Sequence, residues 1–156
     1  MISHLDKQGN PAMIDVTKKK VTYRTAIARS VVVLPDEVLQ HLTDGGLQTK
    51  KGAVFQIAII AGIMAAKKTG ELIPLCHPLG LDNCTVIIRL NEKQEVEIDC
   101  TAIITAKTGV EMEALVGASV AALTVYDMCK AISHDIVIKE TKLIEKTGGK
   151  RDFKRA

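Results

Sequence analysis

The stretch TGVEMEALVGASVAALTVYDMCKA, residues 108–131, constrains the fold of this chain more than any other. Its middle is almost entirely Ala, Gly, Val and Leu, with no polar stripe at helical spacing. A helix that is apolar all round has to be covered on more than one side. Ala114, Gly117, Ala118, Ala121 and Ala122 also require another backbone to come close. Yet Glu111 and Glu113 open the run, and Asp127 and Lys130 close it. Charges beside such packing either point into a cleft or lie at a subunit interface.

The remaining segments supply the cover. VTYRTAIARSVVVL is rich in β-branched residues and predicts a strand. LPDEVLQHLTDGG predicts a short helix, with Pro35 in its first turn, Asp36 and Glu37 favouring the dipole, and Gly45-Gly46 ending it. KKGAVFQIAIIAGIMAAKKTG predicts a longer helix with Gly70 as its C-cap. A turn-rich stretch, ELIPLCHPLGLDN, follows. CTVIIRL and EVEIDCTAIIT then flank NEKQ, which is a hairpin signal. In the second of these Val96, Ile98, Cys100, Ala102 and Ile104 alternate with Glu95, Glu97, Asp99 and Thr101, giving one buried and one polar face. DIVIKETKLIEK predicts the last strand, ahead of TGGKRDFKRA. The order strand, helix, helix, strand, strand, helix, strand predicts an α+β, ferredoxin-like sandwich: a mainly antiparallel sheet with helices packed on one face. Residues 1–19 are polar and predict a mobile N-terminal segment unless they dock on a partner or ligand. Residues 20–156 predict one α+β domain, and 156 residues suit that count.

Charge and composition narrow the function. With 21 basic and 18 acidic residues the net charge is +3, too balanced for a nucleic-acid coat but compatible with a local basic pocket. Aromatic residues make up 3% of the chain, and neither CTVIIRL nor EVEIDCTAIIT has one. That argues against the rival reading, a non-catalytic ferredoxin-like nucleotide- or RNA-binding module, which needs rings on its sheet face. No nucleic-acid partner is expected. The N-terminus MISHLDKQGN is polar and AVFQIAIIAGIMAA is too short to span a bilayer, so no membrane partner and a cytoplasmic location are expected. Cys76, Cys84, Cys100 and Cys129 form no C-x-x-C pair; the last three read as buried free thiols.

Three groups of residues have chemistry to offer. Asp127 and Lys130 lie three apart on one helix face, with Cβ atoms about 5–6 Å apart. Spacing alone fits an ordinary surface ion pair. The absence of a polar stripe before it favours an acid–base pair in a cleft. In PLCHPLG, prolines flank His77 and stiffen its backbone; the ring suits proton transfer or phosphate contact, or simply caps a backbone carbonyl. Metal binding through the adjacent Cys76 and His77 is disfavoured, and no metal is expected. KTGGK, residues 146–150, offers glycine N–H groups and two lysines to an anion, or else is a loose basic tail. Arg24 and TKKG at 49–52 add cations that together would surround a polyphosphate.

Several of these segments together resemble one family. MIDVTKKKVTYRTAIARS, KKGAVFQIAIIAGIMAAKKTGELIPLCHPL, KTGVEMEALVGASVAALTVYDMCKA and KTGGK stand in the order found in the molybdenum cofactor biosynthesis protein C family, the cyclic pyranopterin monophosphate synthases. The resemblance implies a lyase of molybdenum cofactor biosynthesis acting on a small-molecule substrate. It would convert 3′,8-cyclo-7,8-dihydroguanosine 5′-triphosphate to cyclic pyranopterin monophosphate and release pyrophosphate, with no cofactor. Carried over by motif, Asp127 and Lys130 are catalytic; Leu75, Cys76, His77, Met112, Glu113, Lys51 and Lys146 are substrate-site residues. The resemblance also implies a homohexamer, a trimer of dimers. Glu113 and Asp127 are fourteen residues apart in one helix, about 21 Å at 1.5 Å per residue. Both cannot reach one reacting centre within a chain, so the site is expected at a dimer interface, with the small residues of two antiparallel helices as the packing surface.

Overall fold

The period-two pattern of residues 96–104 becomes the centre of the sheet. The computed structural model describes residues 4–156. The elements are β1 (Thr22–Val33), α1 (Asp36–Leu39), β2 (Leu42–Thr43), β3 (Gly46–Thr49), β4 (Gly52–Ala53), α2 (Val54–Lys67), α3 (Thr69–Leu72), β5 (Asn83–Leu90), β6 (Val96–Ala106), α4 (Glu111–Cys129), β7 (Val137–Thr147) and β8 (Phe153–Lys154). The main sheet runs β5-β6-β1-β7-β8, antiparallel throughout. Counting only the long strands, β7, β1, β6 and β5 lie side by side as fourth, first, third and second, the ferredoxin-like arrangement of two split βαβ units.

Register decides which face is dry. Ala26 pairs with Ala102, Ala28 with Cys100, Ser30 with Ile98 and Val32 with Val96. All eight are fully buried under the helices. The intervening residues carry charge on the opposite face. Arg29 donates to both carboxylate oxygens of Asp99, at 2.7 and 2.9 Å, and Arg89 donates to Glu97 at 2.9 Å. Burial pushes the Asp99 carboxyl up, but the hydrogen bonds from Arg29 and Arg89 outweigh it and hold it below the ordinary value.

α4 is long and apolar enough to cross a membrane by length and composition, but half of it is buried within the fold. Its small residues meet α2 and the sheet of the same chain. A Cβ added at Gly62 would lie 2.9 Å from the Gly117 carbonyl oxygen; one at Gly117 would lie 3.1 Å from the Gly62 carbonyl oxygen and 2.5 Å from Cys100 Sγ. The expectation that Ala114, Gly117, Ala118, Ala121 and Ala122 pack against a second copy of the helix is therefore corrected: they are buried inside one chain.

Two local expectations also change. The helix beginning at Asp36 lasts four residues, because Leu42 to Ala53 pair as short strands instead, with Asp44 and Gly45 as the hairpin turn and Gly46 at φ +97° opening β3. α2 ends at Lys67, and Gly70 lies inside α3 rather than capping α2. A Cβ at Gly70 would lie 3.0 Å from Pro78 Cα and 3.3 Å from the His77 carbonyl oxygen, so this glycine seats the His77 loop directly on α3.

Candidate active site

α4 runs unbroken from Glu111 to Cys129, and the candidate residues collect at its two ends. A cleft of about 300 Å³ opens at the start. Leu75, Cys76 and His77 enter it from the loop after α3, and Met112 and Glu113 from the first turn of α4. His4, Ile14, Val16 and Lys19 of the N-terminal segment form another wall, so part of that segment docks here. His77 Nε2 lies 2.8 Å from the Ile14 carbonyl oxygen, the carbonyl contact its sequence setting allows. Thr108, also in this cleft, has a buried hydroxyl with no hydrogen-bond partner among the described residues.

Two carboxylates in this cleft have opposed environments. Burial pushes Glu113 above the ordinary carboxylate range, and the charge of Glu111 adds to the rise. Burial also raises Glu111, but the Lys146 ammonium at 2.9 Å and the charge of Arg24 bring it below its ordinary value. A pair whose proton affinities are driven apart divides naturally into a proton carrier and a fixed anion. Burial first, and then the charge of Glu113, raises the Cys76 thiol, so its sulfur is held as the neutral thiol.

At the far end of α4, Lys130 Nζ lies 2.8 Å from Asp127 Oδ1, and Lys51 Nζ lies 3.1 Å from Oδ2. The two lysines hold Asp127 below the ordinary range, Lys130 contributing most, while the Asp127 hydrogen bond raises Lys130. Lys51 reaches this point from the β3–β4 turn, where Gly52 sits at φ +114°. All three side chains are half-exposed beside a second cleft of about 220 Å³, lined by His41, Thr49, Lys50, Lys51 and Met128.

A basic groove of about 250 Å³ adjoins the first cleft, and Lys19 lines both. Lys20, Arg24 and Lys150 supply its other cations. KTGGK is therefore part of a fixed turn between β7 and β8. Gly148 has φ +82°, and a Cβ there would overlap the Tyr23 carbonyl oxygen. Thr22 Oγ1 donates to the Gly148 carbonyl at 2.8 Å, and Arg24 is anchored on the carbonyls of Ala106 and Lys107.

The structure thus brings Leu75, Cys76, His77, Met112 and Glu113 together in one cleft, with Lys146 behind it on Glu111. It gathers Lys51, Asp127 and Lys130 separately. Sequence reasoning missed Lys19, Thr108 and the partner role of Glu111. Thr108 and Glu111 both lie within the TGVEME motif, which was the available signal. Among the described residues no three His, Cys, Asp or Glu side chains are placed to hold a metal ion.

Proton-transfer groups beside a groove lined by Lys19, Lys20, Arg24 and Lys150 suit an enzyme that acts on a small molecule. The profile of the MoaC family matches residues 13–149, and the chain belongs to that family. A cyclic pyranopterin monophosphate synthase of Xanthomonas campestris pv. campestris (strain 8004) is 53% identical over 152 residues, covering 97% of this chain and 92% of that protein. A protein of the same name from Lysinibacillus sphaericus (strain C3-41) is 50% identical over 151 residues, covering 95% and 93%. The molybdenum cofactor biosynthesis bifunctional protein of Synechocystis sp. is 49% identical over 156 residues, which span 97% of this chain and 45% of that protein.

Proposed function

We propose that this chain is a cyclic pyranopterin monophosphate synthase. It converts 3′,8-cyclo-7,8-dihydroguanosine 5′-triphosphate to cyclic pyranopterin monophosphate and releases pyrophosphate, in the cytoplasm where GTP-derived nucleotides are made. Beyond family membership, the carrying observation is the wall that the acid–base cleft and the basic groove share at Lys19. The nucleoside part of the substrate lies in the cleft against Leu75, Cys76, His77, Met112 and Glu113. The triphosphate extends toward Lys19, Lys20, Arg24 and Lys150. Opening the guanine ring and closing the pterin take several proton transfers, which suit Glu113, Asp127 and Lys130. Closing the cyclic phosphate expels pyrophosphate, and the lysines stabilise charge on the leaving group. Lys146 acts through Glu111 as well as on the phosphates, and Lys51 acts beside Asp127.

Glu113 and Asp127 are about 21 Å apart along the axis of α4, so one chain cannot present both to one substrate. The reading therefore places each site between two protomers of a trimer of dimers, with Glu113 from one and Asp127, Lys130 and Lys51 from its mate. The outward faces of α2 and α4 expose Ile60, Met64 and Leu123, apolar surface for a second copy to cover.

Purified protein given the cyclised GTP intermediate is expected to release pyrophosphate. The shared site is tested by mixing inactive Asp127→Ala and Glu113→Ala proteins and exchanging subunits. A mixed dimer holds one intact site, so turnover should return. Exchange confirmed by mass spectrometry with no recovered turnover refutes sharing.

A further inference from the structure

The N-terminal segment does more than wall the first cleft. It contacts a candidate site side chain directly, because His77 Nε2 is 2.8 Å from the main-chain oxygen of Ile14. A carbonyl oxygen only accepts hydrogen bonds, so Nε2 carries the proton. In the neutral ring Nδ1 then holds the lone pair. We propose that residues 14–17 form a positioning clasp that fixes His77 in the Nε2–H tautomer and leaves Nδ1 as the ring's proton acceptor.

Both partners of this hydrogen bond are held from behind. Asp15 Oδ1 accepts from the Thr17 N–H at 2.8 Å and from Thr17 Oγ1 at 2.6 Å, closing a compact turn directly after Ile14. Lys107 Nζ donates to the Thr17 carbonyl at 3.0 Å and ties that turn to the end of β6. On the other side Gly70 lets the His77–Pro78 backbone rest on α3 at 3.0–3.3 Å. The imidazole and the carbonyl therefore meet from two anchored backbones. Enzymes set the tautomer of a working histidine in the same way, through a hydrogen bond to the nitrogen that does not react. Ile14 itself needs no particular side chain for this, since its backbone makes the contact.

The inference rests on the reading of His77 as a substrate-site residue, but its first test does not depend on turnover. Long-range ¹H–¹⁵N spectra of uniformly ¹⁵N-labelled full-length protein report each imidazole's tautomer, with His77 assigned by its loss in His77→Asn. The expected result is a protonated Nε2 and an unprotonated Nδ1. An Nδ1–H tautomer, or an even exchange of the two, overturns the proposal. Asp15→Ala removes both bonds that close the turn behind Ile14, and Thr17→Val removes the hydroxyl one. The His77 pattern should shift toward exchange, most in Asp15→Ala, and turnover there should fall about 10-fold or more, part of the roughly 10²–10⁴-fold that a placed general base contributes. Asp15→Asn keeps an acceptor oxygen and should restore both readouts. An unchanged tautomer in Asp15→Ala, or a changed tautomer with unchanged turnover, refutes the clasp. Absence of pyrophosphate release by the parent protein counts against the proposed reaction instead and leaves the ring-nitrogen result standing.

Discussion

Replacing Gly117 by Ala tests how α4 is held, because the cost and its cause can both be computed from the crossing. The new Cβ would lie 2.5 Å from Cys100 Sγ, where ordinary contact begins near 3.4 Å, so something must yield by about 1 Å. Cys100 is fully buried on β6, which is paired on both sides, so the helix has to move rather than the strand. Overpacking of this kind typically costs about 1–3 kcal/mol. Replacing a helical glycine by alanine returns about 1 kcal/mol. The net destabilisation is then up to about 2 kcal/mol, or roughly 4–8 °C in Tm for a chain of this length. In a Cys100→Ala background the sulfur is gone and only the Gly62 carbonyl oxygen at 3.1 Å and Ala66 Cβ at 3.3 Å stay close, so the same substitution should cost clearly less. Denaturant midpoints of the four proteins, at one protein concentration, give the coupling energy. It should reach about 1 kcal/mol or more. If Gly117→Ala costs the same in both backgrounds to within about 0.5 kcal/mol, the Gly117–Cys100 contact is not what limits helix approach.

Asp127→Asn and Lys130→Ala should each lower turnover about 10²–10⁴-fold with an unchanged circular dichroism spectrum; near-parental turnover in either would remove it from the acid–base machinery. Glu113 is raised by burial, so its contribution to stability is full below its ordinary pKa of 4.5 and lost as pH rises through the folded value. Glu113→Gln should therefore be more stable than the parent near neutral pH yet less active, and an equal or lower Tm at pH 7 would contradict the burial argument. Glu111 is depressed by Lys146 and Arg24, so its contribution is present above 4.5 and lost on acidification. Lys146→Ala should flatten that acid dependence in thermal melts between about pH 3 and 5. Lys20→Ala and Lys150→Ala should weaken a non-reacting triphosphate analogue in calorimetry, the more so at low salt; unchanged affinity in both would empty the groove of its proposed role.

What could be read from the residues was local period, and what could not was partner choice. The alternation from Val96 to Ile104 named its strand and its buried face without help. The Ala and Gly positions of residues 114–122 announced a close approach, but nothing local says whether Gly117 meets Gly62 of its own chain or another molecule. The segment from Leu39 to Leu42 could continue the helix, yet Leu42–Thr43 and Gly46–Thr49 pair as strands, a tertiary preference that local propensity does not contain. Of the candidate site, the LCHPL, TGVEMEAL and YDMCKA segments were legible as motifs. Lys19 and the Ile14 carbonyl were not. A polar N-terminal stretch carries no periodicity, and a backbone oxygen carries no residue identity at all.

Because α4 holds Glu113 near one end and Asp127 near the other, it acts as a ruler. One residue inserted between them would lengthen it by about 1.5 Å and turn its last turns by about 100° relative to the first. Asp127 would leave Lys51, and Gly117 or Cys129 would leave the core. The chain can therefore exchange side chains along this helix more readily than it can change their number. The β5–β6 turn is the opposite case, since Gln94 already sits at φ 60° in an exposed loop. Among relatives, length differences should gather at that turn and stop at the borders of residues 111–129.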